Sequence, residues 1–141
     1  MWLVNLSSHL KKSKRVHSPL MTMSISFAEE LRQDGTLVLS PTKLAARLAM
    51  STDELATVAG VHRHTISEHP ESESVQAFMH RVVRVIAAAE EVSGDRARAL
   101  EWLKQGSIAS FGHKAPFALI ADGRVDDLVR YLASIQSGYV G

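Results

Sequence analysis

The stretch Glu101-Trp102-Leu103, a Ser/Gly-rich link, Pro116-Phe117-Ala118-Leu119-Ile120, Gly123, Val125 to Ile135, Gly138 and Tyr139-Val140-Gly141 decides how this chain reads. Pro116 suits the first turn of a helix, where its missing N–H would have had no partner, and Gly123 suits the left-handed residue that ends one. A short helix is therefore expected between them. From Val125 the apolar positions Leu128, Val129, Leu132 and Ile135 fall at steps of three and four, one face of a second helix. Its first turn carries Asp126 and Asp127, at the end that favours negative charge. Gly138 stops it and leaves Tyr139-Val140-Gly141 as a tail.

Upstream of this stretch the boundary signals continue. Asp95 is the expected cap of a helix over Arg96 to Lys104 that carries Trp102 and Leu103 and ends at Gly106. Glu71 to Val92 is the most strongly periodic segment. Val75, Phe78, Met79, Val82, Val83 and Ile86 make an apolar stripe, with Arg81, Arg84, Glu90 and Glu91 off it. This is the longest helix expected, widened on its buried face by Ala87 to Ala89 and ended by Gly94. Before it, Ser51 and Glu54 have capping-box spacing and open a helix with Leu55, Ala56, Val58 and Ala59 that stops at Gly60. Val61 leads into a short helical segment closed by Pro70. Small Ala56 allows close approach, Gly60 makes the tight turn, and Val61 and Ile66 pack the second helix on the first, which is the outline of a helix-turn-helix.

Ser40-Pro41 reads as an N-cap followed by proline at the first helical position, with Leu44, Ala45 and Leu48 as the stripe. Ile25, Phe27, Ala28 and Leu31 suggest a short amphipathic helix ending at Asp34-Gly35. Thr36 to Leu39 is the one plausible extended segment, and without a partner strand it is expected to be a connector.

The composition is that of an ordinary globular chain: 141 residues, 45% hydrophobic, 22% charged, no cysteine. Without cysteine there are no disulfides, thiolate zinc sites or cysteine nucleophiles, and a reducing compartment is compatible. No apolar run approaches the roughly twenty residues that span a bilayer, and Trp2 to Leu6 is too short for a signal segment, so a soluble cytoplasmic protein is expected. The net charge of +1 hides a basic arm, Lys11, Lys12, Lys14 and Arg15. The arm has no periodic apolar face and reads as a solvated leader that also offers phosphate contacts. No phosphate-cradling glycine loop, Ser/His/Asp grouping or metal cluster is recognisable, so neither an enzyme nor a cofactor is expected. His62, His64 and His69 do not converge on one helix face with a further ligand, which argues against a metal.

The order and spacing of Trp102, Leu103, Gly112, Pro116, Leu119, Gly123, Leu128, Leu132 and Gly138 resembles the C-terminal toxin-binding domain of the Xre/MbcA/ParS-type antitoxins. That family's pattern is a Trp-Leu pair, a Gly-containing link, a Pro opening a short helix, a Gly, a leucine-bearing helix and a near-terminal Gly. Ala59-Gly60-Val61, with Ile66 and Ser67 following, likewise resembles bacterial repressors of the Xre type. The resemblance covers roughly residues 40 to 141 and implies a RES-domain toxin partner that consumes NAD. That toxin would be held inactive because the antitoxin's C-terminal unit covers its active-site entrance, and the pair would repress its own operon through the helix-turn-helix.

The expected protein is thus all-α: a leader over 1–39 with the basic arm, an Xre-like helix-turn-helix and connecting helix over 40–92, and a toxin-binding domain over 95–141. His62, Arg63, His64 and Ser67 are the candidate DNA-binding residues. Arg63 is the one dependable cation among them, so the motif reads either as a DNA reader or as a packing scaffold. The candidate toxin-binding residues are Trp102, Pro116, Gly123, Leu128, Leu132, Gly138, Tyr139, Val140 and Gly141. Trp102 serves equally as core or as interface anchor. The expected partners are the toxin, operator DNA and a second copy of the chain within a hetero-oligomeric complex. The competing reading is a plain dimeric DNA-binding regulator with no toxin partner, and a toxin-encoding frame beside this gene separates the two.

Overall fold

The structure, a computed structural model, describes residues 25–138. It is all-α. Among the described residues there are eight α-helices, one 3-10 turn and no strand, only two isolated bridges. No helix among them is long and apolar enough to cross a membrane. The chain divides into two compact units, with the division inside the longest helix between Val83 and Arg84.

The first unit, from Ile25 to Val83, contains α1 (Phe27–Leu31), α2 (Pro41–Arg47), α3 (Thr52–Ala59), α4 (Arg63–Glu68) and the first half of α5 (Glu73–Ser93). Three of the helix starts have the same local chemical cause. Ser26, Ser40 and Ser51 cap α1, α2 and α3 by accepting a backbone N–H, and Pro41 opens α2. The core of the unit includes Phe27, Leu31, Leu39, Leu44, Leu48, Leu55, Ile66, Val75, Phe78, Met79 and Val82, all buried. Arg47 of α2 pairs with Glu30 of α1 and lies 5.9 Å from the centroid of the Phe27 ring. Residues 25–39, which the sequence groups with the leader, are therefore packed into this unit. The part of the leader that carries Lys11, Lys12, Lys14 and Arg15 lies outside the described residues.

The connector after α1 folds back on itself. Gln33 N–H donates to the Val38 carbonyl at 2.8 Å and Ser40 N–H to the Leu31 carbonyl at 2.7 Å, around an antiparallel bridge between Arg32 and Leu39. Leu39 then lacks a neighbouring strand on its other side, and a side chain supplies one. Its N–H donates to Gln76 Oε1 at 3.0 Å and its carbonyl accepts from Gln76 Nε2 at 2.8 Å. The amide of α5 thus substitutes for a peptide group, which satisfies both polar atoms of a residue only 1% exposed.

The second unit comprises the rest of α5, then α6 (Arg96–Gln105), the 3-10 turn (Ala109–Phe111), α7 (Pro116–Ala121) and α8 (Val125–Gln136). The α5 stripe continues here as Val85, Ile86, Ala89 and Val92, all buried, whereas Val83 is only half-buried and Ala87 is exposed. Asp95 caps α6 by accepting from Ala97 and Arg98 N–H. α6 packs on α7 and α7 on α8. The link between α6 and α7 is tighter than its Ser/Gly composition suggests. Ile108 is fully buried and bridges Lys114, with its N–H donating to the Lys114 carbonyl at 3.0 Å. Gly112 and His113 take consecutive left-handed conformations, φ 69° and 63°, to turn the chain back. The second of these is strained for a residue with a side chain.

Candidate functional site

The helix-turn-helix forms from the first unit's own chemistry. Ser51 Oγ accepts from Glu54 N–H at 3.0 Å while Glu54 Oε2 accepts from Ser51 N–H at 3.1 Å, so the capping box is complete. α3 ends at Gly60, whose φ of 74° is left-handed, and a Cβ there would meet nothing within 4 Å. Glycine is needed at this turn for its conformation, not for space. Ala56 and Ile66, each 3% exposed, are the buried residues of the α3–α4 pair together with Leu55.

α4 presents the candidate reading residues. His62 is its N-cap, with Nδ1 accepting from His64 N–H at 3.1 Å. The His62 and His64 rings stack, centroids 5.0 Å apart and 9° between planes. His62, Arg63, His64 and Ser67 are all exposed, and the structure places the four candidate DNA contacts on one short helix and its N-cap. Ser67 Oγ donates to the His64 carbonyl at 3.3 Å. Arg63 has a partner already: its NH1 lies 3.6 Å from Asp53 Oδ2, in the first turn of α3.

The C-terminal candidates fall into three groups. Trp102, Pro116, Leu128 and Leu132 are buried, so they shape the unit from inside and no partner reaches them in this conformation. Gly123 and Gly138, φ 77° and 79°, terminate α7 and α8 and are exposed. Tyr139, Val140 and Gly141 lie outside the described residues. No family model, curated protein or solved structure matches the chain.

Around α8 the unit carries a surface that periodicity does not reveal. Arg124 sits 4.9 Å from the Phe111 ring centroid and pairs with Asp127, which also takes Arg130 at 3.1 Å. Phe111 meets Tyr131 edge to face at 6.1 Å. The Tyr131 hydroxyl is buried without a hydrogen-bond partner, and burial pushes its pKa up to about 12. Arg84, at the start of this unit's part of α5, holds Asp126 at 2.7 Å. Sequence reading missed these because the pairs come from separate elements. The one local signal was the Arg124/Asp127/Arg130 spacing of three, which on a helix brings charges together.

Proposed function

We propose that this chain is the antitoxin of a type II toxin–antitoxin pair. In this reading its C-terminal unit covers the active-site entrance of a RES-domain, NAD-consuming toxin, and its helix-turn-helix represses the shared operon. The observation that supports it most is how the pattern residues are used. Trp102, Leu103, Leu119, Leu128 and Leu132 are core, Pro116 opens α7, and Gly112, Gly123 and Gly138 are left-handed at the ends of the 3-10 turn, α7 and α8. Every resemblance-bearing residue thus has a structural reason to be the residue type it is. The chain's role is stoichiometric: it binds and blocks, and performs no bond chemistry itself.

Growth of cells co-expressing the toxin encoded beside this gene, together with pull-down of the complex, tests the reading. The full-length chain is expected to restore growth and retain the toxin, and failure to bind any RES-domain toxin overturns the proposal. By the resemblance Tyr139 lies at the toxin's cleft, where one large side chain fills apolar space. Tyr139→Ala should therefore weaken neutralisation while leaving the melting temperature and operator binding unchanged.

The operon half of the proposal has its own measurement. One short helix reads few bases, so a dimer is expected on half-sites about one helical turn apart. Arg63→Ala should cost about 1 to 3 kcal/mol at the specific site, measured by anisotropy of a labelled promoter duplex. A promoter with no protected region, with or without toxin, leaves the helix-turn-helix as a scaffold.

A further inference from the structure

Residues 51–73 hold five carboxylates, Asp53, Glu54, Glu68, Glu71 and Glu73, and one fixed cation, Arg63. All six are exposed. A surface that meets duplex DNA faces a dense line of phosphates, and Lys and Arg supply most of its affinity. The 51–73 stretch has the opposite balance of residue types. Two of the acids have local duties, since Glu54 completes the capping box and Glu71 lies 3.5 Å from His69 Nδ1. Asp53 instead faces the single arginine of the reading helix from the neighbouring helix, at 3.6 Å.

A helix-turn-helix docks with its first helix across the phosphate backbone and its second in the groove. Asp53 therefore stands in the first turn of the element that meets phosphate. Its carboxylate draws the guanidinium that a phosphate or a guanine edge needs, and it puts a like charge where a phosphate must come. The two side chains are 65% and 64% exposed, so solvent screens the pair and DNA can displace it. It is a competitor and not a lock. We propose that Asp53 is a positioning residue that holds Arg63 off DNA and limits the affinity of this helix-turn-helix for the duplex. The inference rests on the DNA-reading half of the proposed function.

The test uses the purified full-length chain with a labelled duplex of its own promoter and a scrambled duplex of equal length, titrated over a range of salt. The proteins are wild type, Asp53→Asn, Asp53→Glu, Arg63→Ala and the Asp53→Asn/Arg63→Ala double variant, with thermal melts to show that each is folded. Asp53→Asn leaves the Ser51–Glu54 capping box intact. It should tighten binding about two- to fivefold per bound copy, the range of an exposed ion pair. Asp53→Glu, which keeps the charge, should bind as wild type does, and in the Arg63→Ala background Asp53→Asn should gain little. Binding that Asp53→Asn leaves unchanged, or improves equally without Arg63, overturns the proposal alone. No binding by any variant to either duplex overturns the DNA reading and this inference with it.

Discussion

Trp102→Ala is expected to unfold the C-terminal unit at temperatures where the wild-type chain remains folded. The indole is 2% exposed, and truncating a buried Trp costs about 3 to 5 kcal/mol in lost transfer energy and residual cavity. A domain holds only about 5 to 15 kcal/mol in total, so a small helical unit does not absorb that loss. Leu132, fully buried on α8, should cost about 2 to 5 kcal/mol when cut to Ala. Trp102 carries a further discriminating feature: its Nε1 is buried without a hydrogen-bond partner. Trp102→Phe discards that unsatisfied donor along with part of the volume, so it should be distinctly milder than Trp102→Ala. Circular-dichroism melts of the three variants check this, and midpoints unchanged in both alanine variants reject the packing. Under the proposed function, toxin neutralisation should fall in step with the melts for these variants. Arg63→Ala should leave the melt alone, because its side chain is exposed.

What could be read in advance was whatever local chemistry dictates. Ser51 with Glu54, Gly60, Asp95, Pro116, Gly123 and Gly138 mark helix ends because capping and left-handed turns depend on residues within a few positions, and the structure puts boundaries at each. The α5 stripe was legible for the same reason, except that Val83 gave way to Val85 where the helix passes into the second unit. Contacts between elements were not legible. Ile108, in the short link Gly106 to Lys114, has no helical periodicity to announce that it is fully buried. Asp53 and Arg63 meet only because two helices pack at a particular angle. The candidate site shows the same split. The four DNA-contact candidates are exposed on α4 and its N-cap, whereas four of the residues proposed to touch a toxin lie in the unit's interior. A pattern of Trp, Pro and Leu reports which residues make a fold and does not say which of them face outward.

Gln76→Ala should be the most destabilising polar substitution in the first unit. Its amide satisfies three backbone groups at once: Leu39 N–H at 3.0 Å, the Leu39 carbonyl at 2.8 Å and the Pro70 carbonyl at 2.8 Å. A reading by periodicity treats a glutamine between apolar positions as solvent-facing, and here it is half-buried and fully used. Alanine leaves the buried Leu39 groups without partners, at about 1 to 3 kcal/mol for each group that water does not reach. The expected total is about 2 to 5 kcal/mol by urea unfolding. Gln76→Glu separates geometry from chemistry. An ionised carboxylate can accept from Leu39 N–H, but it cannot donate and it repels both carbonyls. Folding then favours the protonated form and raises the carboxyl pKa, so the stability of this variant should be greatest at acid pH and decline as pH rises through that raised value. Wild type and Gln76→Ala lack this component. The effect should also reach α4, because Pro70 follows its end and Gln76 ties Pro70 to α5. Under the proposed function, operator binding should weaken in Gln76→Ala, and it should recover when the protein is stabilised by an osmolyte, which Arg63→Ala should not. An unfolding curve for Gln76→Ala that superimposes on wild type would show that the amide merely decorates the loop, and that Leu39 is held by its burial alone.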